Sequence, residues 1–281
     1  VQAVVVEMRV LPPMITPDVA GRILNGESAV SLDLGLSVSH VTCVDESYDL
    51  LDYIVSAEDL RLIAGKENAV YFPEEGHLYQ VAVAGGRYYK LVPTTGAPTL
   101  EIDGVRMHRT KDTTPDADTD EKLEVLGLSG GRVLDTCMGL GYTAIESLKR
   151  GAETVVTVER EPSVVRVAQM NPWSNQLFDG NISLILGDSF HTIDALPTGF
   201  FDWAIHDPPR LTHAGALYSE EVYNKLYRVM AEGAKLFHYT GEPRSRYRGV
   251  DLQKGVQRRL RAAGFKATEY HTGVMGITCE K

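Results

Sequence analysis

From Arg132 to the carboxyl end, short apolar runs alternate with longer amphipathic ones, and this alternation restricts the fold more than any other feature of the chain. Residues 133–136, 154–159, 182–186, 201–206 and 235–239 read as strands, and residues 142–149, 162–170, 220–230 and 252–262 read as helices between them. Repetition of strand and helix predicts a parallel sheet with helices on both faces. Two further strands, 265–270 and 274–279, are joined by too few residues for a crossover, so they must run antiparallel. The expectation is an α/β fold with a Rossmann-like, seven-stranded, mostly parallel sheet.

The first 110 residues have a different texture. Alternating or apolar segments at 1–11, 29–36, 38–44, 70–72, 79–84 and 87–92 read as strands separated by turns. Gly85-Gly86 and Asp103-Gly104 carry the residues that tight hairpin turns need, because glycine tolerates positive φ. Ser56, followed by Asp59, marks the start of one short helix. The polar stretch 110–120 (TKDTTPDADTD) then precedes a helical run at 121–128. A smaller strand-rich amino-terminal domain at 1–112 and a Rossmann-like domain at 119–281 are expected.

With 281 residues, 43% hydrophobic and 23% charged, the chain has globular values. The apolar start is broken by Glu7 and Arg9 and reads as a strand, not as a signal peptide. Cys43, Cys137 and Cys279 are far apart, which suggests neither a zinc site nor a disulfide framework and fits a reducing cytoplasm. No metal site and no membrane partner are expected. A net charge of -10 disfavours nonspecific attraction to nucleic acid over the whole surface.

Strand 132–135 runs into Thr136-Cys137-Met138-Gly139-Leu140-Gly141-Tyr142-Thr143-Ala144 and then a helix. Gly139-x-Gly141-x-x-Ala144, with Glu159 closing the next strand, fits a dinucleotide fingerprint. Asp135 argues against a pyrophosphate, since a carboxylate facing the ligand over the glycine loop would repel it. S-adenosylmethionine (SAM) has no phosphate and carries an α-ammonium, which a carboxylate favours. From Asp135 to Gly141 the chain resembles the first motif of class I SAM-dependent methyltransferases, and the resemblance covers about residues 119–281. It implies SAM as cofactor, with Glu159 taking the ribose hydroxyls and Asp188 the adenine amino group. Asp188 reads equally as a cap of the helix beginning near Ser189.

The fourth parallel strand ends in Asp207-Pro208-Pro209-Arg210, where ligands of open α/β sheets gather. The two prolines hold Asp207 extended and the following carbonyls stiff. Displacement at a sulfonium needs alignment more than acid–base apparatus. This segment resembles the Asp/Asn-Pro-Pro-aromatic signature of amino methyltransferases, in which an acceptor residue and a proline carbonyl hold the amine. It implies catalytic roles for Asp207, Pro208 and Pro209, and Arg210 stands where that signature has an aromatic. Asp207-Pro208 with Ala214 to Tyr223 also resembles spermidine synthases, whose glycine loop is of Gly-Gly-Gly-Asp-Gly type. The whole pattern is most similar to predicted archaeal methyltransferases between the two families.

Three functions follow as expectations: methylation of an amine on a small molecule, RNA or protein; aminopropyl transfer from decarboxylated SAM; and a non-catalytic SAM-binding module. The basic residues Arg244 to Arg261 read mainly as the solvated face of an amphipathic helix, and His206, His213 and His238 lack the spacing of a metal motif.

Overall fold

A computed structural model describes residues 11–209, 211, 214–241 and 252–281. The expected strand at 1–11, Arg210, His213 and the basic residues 244–248 fall outside them, apart from Leu11. The chain forms two compact units, one holding Asp118–Pro162 and Gln176–Lys281, the other running up to Ala117 and including Ser163–Asn175.

The first unit contains the seven-stranded sheet. Its strands are β1 (Arg132–Asp135), β2 (Thr154–Glu159), β3 (Ile182–Leu186), β4 (Phe201–His206), β5 (Met230–Tyr239), β6 (Lys266–His271) and β7 (Gly276–Glu280). They lie in the order β3-β2-β1-β4-β5-β7-β6. The first five are mutually parallel, and β7 pairs antiparallel with both β5 and β6. This is the Rossmann-like α/β architecture expected. Strand β5 begins five residues before the expected start, because buried Met230 pairs with buried Phe201 ahead of a bulge between Phe201 and Trp203.

From residue 115 onward the helices among the described residues are α1 (Pro115–Leu126), α2 (Tyr142–Lys149), α3 (Pro162–Gln169), α4 (Ser189–Thr192), α5 (Glu220–Val229) and α6 (Leu252–Ala262), of which α3 falls almost wholly in the second unit. Helix α5 starts where the Ser219 hydroxyl accepts from Val222 N at 3.2 Å, and Glu220 and Glu221 complement the amino-terminal end of its dipole. Its Val222, Tyr223, Leu226 and Val229 share one face and join Leu236 and Leu260 in the core. Each such side chain contributes about 1.5–3 kcal/mol on full burial. At the opposite edge from the glycine loop, Arg132 holds Asp202 through Nε and Nη2 at 2.9 and 2.8 Å, tying the start of β1 to β4.

The second unit is strand-rich. A four-stranded antiparallel sheet orders Val105–Arg106, Thr99–Ile102, Tyr88–Val92 and Ala82–Ala84, and a three-stranded one orders Thr42–Val44, Ser47–Leu50 and Tyr53–Ser56. Asp103 and Gly104 both have positive φ, as the hairpin turn requires. Helix Ala57–Ala64 begins at Ser56, whose hydroxyl accepts from Asp59 N at 3.0 Å. The strand expected at 29–36 stops at Val30, because Asp33 accepts from Ser31 Oγ and Ser37 N at 2.8 and 2.9 Å and folds a turn. A helix at Pro17–Leu24 has no counterpart in the sequence reading, although Thr16-Pro17-Asp18 is a regular start: Thr16 Oγ1 accepts from Val19 N at 3.2 Å. Among the described residues no helix is long and apolar enough to cross a membrane.

Candidate active site

The parallel register brings the sequence-selected acids to one edge. Asp135 ends β1, Glu159 ends β2, Asp188 follows β3 by two residues, and Asp207 follows β4 by one. Asp135 pairs with Thr157 and with Ile205, and Glu159 with Leu186, so two acids close their strands and two follow theirs, all at the carboxyl ends of neighbouring strands.

Asp135 does not face outward, as the argument from pyrophosphate repulsion supposed. Its side chain is fully buried; Thr157 Oγ1 and Thr143 Oγ1 donate to Oδ2 at 2.8 and 3.1 Å, and Cys137 N donates to Oδ1 at 3.4 Å. Burial pushes its carboxyl up to about 6 against these hydrogen bonds. The acid therefore holds the turn from β1 into α2 from beneath. Above it, Gly139 and Gly141 have φ of 56° and 80°, and a Cβ at Gly141 would lie 2.8 Å from Leu177 Cδ2. Only glycine keeps that loop flat against Leu177.

Glu159 closes the loop from the side. Gly139 N donates to its Oε2 at 3.1 Å and Glu161 N to its Oε1 at 2.8 Å. Burial pushes this carboxyl up to about 7. Asp188 caps α4, accepting from Phe190 N at 2.9 Å through Oδ1, while Oδ2 stands 3.9 Å from Arg160 Nη1. The cap is realised, and it leaves the second oxygen at the edge.

Asp207 is about a quarter exposed. The ammonium of Lys122, from α1, donates to its Oδ2 at 2.7 Å and also pairs with Asp118 at 2.8 Å. Burial pulls the Lys122 ammonium down, but the two carboxylates outweigh it and hold it above its ordinary value. The following carbonyls are fixed as well: Tyr218 OH donates to Pro209 O at 3.2 Å and stands 3.5 Å from Pro208 O. Burial and then Asp207 push the Tyr218 phenol up, so it remains a donor.

Beneath this segment lie the two selected histidines that the structure describes. Burial pushes His206 down to about 4, and the neutral ring donates from Nε2 to Leu217 O at 2.7 Å and accepts at Nδ1 from Thr136 Oγ1 at 2.7 Å. His238 donates from Nδ1 to His206 O at 3.1 Å and accepts from Tyr223 OH at 2.9 Å. These rings brace β4 against β5 and α5. Among the described residues no group of three His, Cys, Asp or Glu is placed to hold a metal ion. Arg259 is only half-exposed, unlike exposed Arg258, so it departs from the solvated face read for α6.

Over 274 residues the chain is 45% identical to "Uncharacterized protein MJ1233" of Methanocaldococcus jannaschii, with 94% of each chain covered. It belongs to the same family. A family model described as "Conserved hypothetical protein 95" matches residues 118–240, which take in the glycine loop and Asp207-Pro208-Pro209. Polyamine aminopropyltransferase 2 of Streptomyces coelicolor is 33% identical over 156 residues, 53% of this chain and 28% of that protein. A crystal structure of spermidine synthase in complex with the transition state analogue AdoDATO superposes with a TM-score of 0.59 at 19% identity, covering 71% of this chain and 72% of that one. The fold is thus shared with that enzyme.

Sequence reasoning missed Lys122 and Asp118, and took in Tyr218 only as part of the stretch that resembles spermidine synthases, without a role. Asp118 lies in the polar stretch read as preceding a helix at 121–128, but α1 already starts at Pro115, so Asp118 and Lys122 pair four residues apart on one helix. Nothing local in sequence connects residue 122 with residue 207.

Proposed function

We propose that this chain is a SAM-dependent methyltransferase acting on an amine nitrogen held at Asp207, within a SAM-binding part at 119–281 that follows a strand-rich domain at 1–112. The observation that carries the reading is the row of strand-end carboxylates ending in Asp207, which two prolines follow, with Lys122 pinning its carboxylate and Tyr218 the proline carbonyls. The donor set fits SAM: Glu159 and Asp188, when ionised, are acceptor-only groups that suit ribose hydroxyls and an adenine amino group, and Gly139 and Gly141 allow a ligand close to the backbone. Asp135 serves by shaping that loop. Asp207 Oδ1 accepts an N–H of the acceptor and so points the nitrogen lone pair. SAM supplies a methyl carbon on a sulfonium, which departs as a neutral thioether when the nitrogen lone pair takes the methyl.

The Asp135 to Gly141 loop and the Asp-Pro-Pro segment support methyl transfer, since both have the methyltransferase form. Aminopropyl transfer is the second reading, favoured by the likeness to a polyamine aminopropyltransferase over 53% of this chain. Calorimetric titration of the native protein with SAM and with decarboxylated SAM separates them. Methyl transfer requires SAM to bind at least as well; a tenfold preference for the decarboxylated form, about 1.4 kcal/mol, would establish aminopropyl transfer instead.

A further inference from the structure

We propose that the strand-rich second unit holds a binding site of its own, in the cleft between α3 and the hairpin of strands Tyr71–Glu74 and His77–Gln80, and that its ligand is a small aromatic carboxylate.

Both walls belong to that unit, since the helix is counted in it from Ser163 onward. The hairpin sets Phe72 opposite Tyr79, with ring centres 5.8 Å apart and planes tilted by 30°, and Tyr79 stays 44% exposed. From the other side Arg166, Val167 and Met170, three and four residues apart, present one helical face, and Val83 of the strand Ala82–Ala84 joins them. Beyond that strand a Cβ on Gly85 would stand 3.2 Å from Ser163 Oγ, so the chain closes in on the start of α3. The cleft holds about 170 Å³. An apolar cavity of about 150 Å³ takes one benzene, and sites for larger ligands begin near about 300 Å³. The space therefore suits a single ring and not a nucleoside. Such a ring can pack against Tyr79 and Phe72 in offset or edge-on contact.

The polar groups select the charge. Arg166 is the one charged residue lining the cleft, and among the described residues none accepts from its guanidinium. Its planar fork matches the two oxygens of a carboxylate. Gln80 adds a second donor, because Tyr88 OH donates to its Oε1 at 3.2 Å and leaves Nε2 to serve an anion. A cationic ligand would meet Arg166 with like charge, and a plain hydrocarbon would gain nothing from it. An aromatic anion satisfies the rings and the guanidinium together. With a net charge of -10 the chain offers anions no general attraction, so anion binding here reports this one guanidinium.

The probes are phenylacetate, its neutral isostere phenylacetamide, acetate, and a short peptide ending in phenylalanine, followed by proton–nitrogen NMR. The proteins are the full native chain, Arg166→Gln and Ala82→Leu, the last of which fills the cleft from its lining. Phenylacetate should saturate the native protein with a Kd below about 1 mM, within reach of about ten non-hydrogen atoms, and shift amides of residues 79–83 and 166–170. Arg166→Gln should weaken phenylacetate about tenfold or more and leave phenylacetamide unchanged, while Ala82→Leu weakens both. Arg166 is exposed, so its variant keeps the test intact should Ala82→Leu fail to fold. Equal affinity for acid and amide, acetate binding as well as phenylacetate, or shifts confined to other residues would overturn the inference. So would no saturation up to about 10 mM phenylacetate. Tighter binding of the peptide would give the cleft to a protein terminus and overturn the assignment to a free acid.

Discussion

Glu159 Oε2 accepts from Gly139 N at 3.1 Å, so the acid that ends β2 is also the clamp on the glycine loop that follows β1. On the proposed reading, loop shape and ribose recognition are joined in one carboxylate, and its ionisation should register in both. With the carboxyl pushed up to about 7 by burial, S-adenosylhomocysteine affinity should rise as pH increases through 7, since the ionised form accepts hydroxyl donors better. In the unliganded protein the sign is opposite. The folded carboxyl keeps its proton to about 7 while an unfolded one loses it near 4.5, so this group's contribution falls as pH rises through that window. Glu159→Gln should remove both trends and weaken nucleoside binding about tenfold, or about 1.4 kcal/mol, as read by calorimetry and thermal unfolding across pH.

Asp135→Ala should lower stability as well as affinity. It strands two buried hydroxyls and one amide, and a single unsatisfied buried group costs about 1–3 kcal/mol. Urea unfolding should show a loss of at least that size; an affinity loss at unchanged stability would mean that Asp135 contacts the ligand directly.

Gly141→Ala should damage the loop without touching an acid. A residue with φ of 80° and a Cβ 2.8 Å from Leu177 Cδ2 costs about 1–3 kcal/mol in backbone strain alone. The expected result is a lower unfolding midpoint together with weakened S-adenosylhomocysteine binding.

His206 gives the acid limb of the stability profile. Its folded value of about 4 lies below the ordinary 6.5, so the stability tied to its neutral form is complete above 6.5 and is lost as pH falls toward 4. Each pH unit inside that window weighs about 1.4 kcal/mol. The difference in unfolding free energy between the native protein and His206→Gln should shrink across it.

The sheet was legible because every parallel strand has its own apolar run and three of the four crossovers between them an amphipathic helix, while the one from β3 to β4 holds only the short α4; Tyr142–Lys149 and Leu252–Ala262 fall where periodicity put them. The strand ends were legible for the same reason, since a strand's last residue fixes which acid reaches the edge. The direction of each acid was not. Asp135 turns inward because Thr143 and Thr157, eight and twenty-two residues away, present hydroxyls to it. Asp207 acquires its cation from a helix eighty-five residues earlier. The helix at Pro17–Leu24 was lost among strands because its core partners, such as Leu50 and Leu60, come from other segments.

If Asp207 holds the acceptor and not the nucleoside, as proposed, Asp207→Ala should leave S-adenosylhomocysteine affinity intact and slow transfer. A lost hydrogen bond to a charged group costs about 1.5–3 kcal/mol, or roughly 10- to 150-fold in single-turnover rate at saturating SAM. Asp207→Asn keeps an acceptor oxygen and should do less harm.

The central claim is that the carboxylate-lined edge beyond β1 to β4 binds a sulfonium nucleoside and not a pyrophosphate dinucleotide. It is tested most directly by titrating the native protein with S-adenosylhomocysteine and with NAD in the same calorimeter at pH 8, where Glu159 is ionised. The account predicts saturable binding of S-adenosylhomocysteine and none of NAD. Tighter binding of NAD would contradict it.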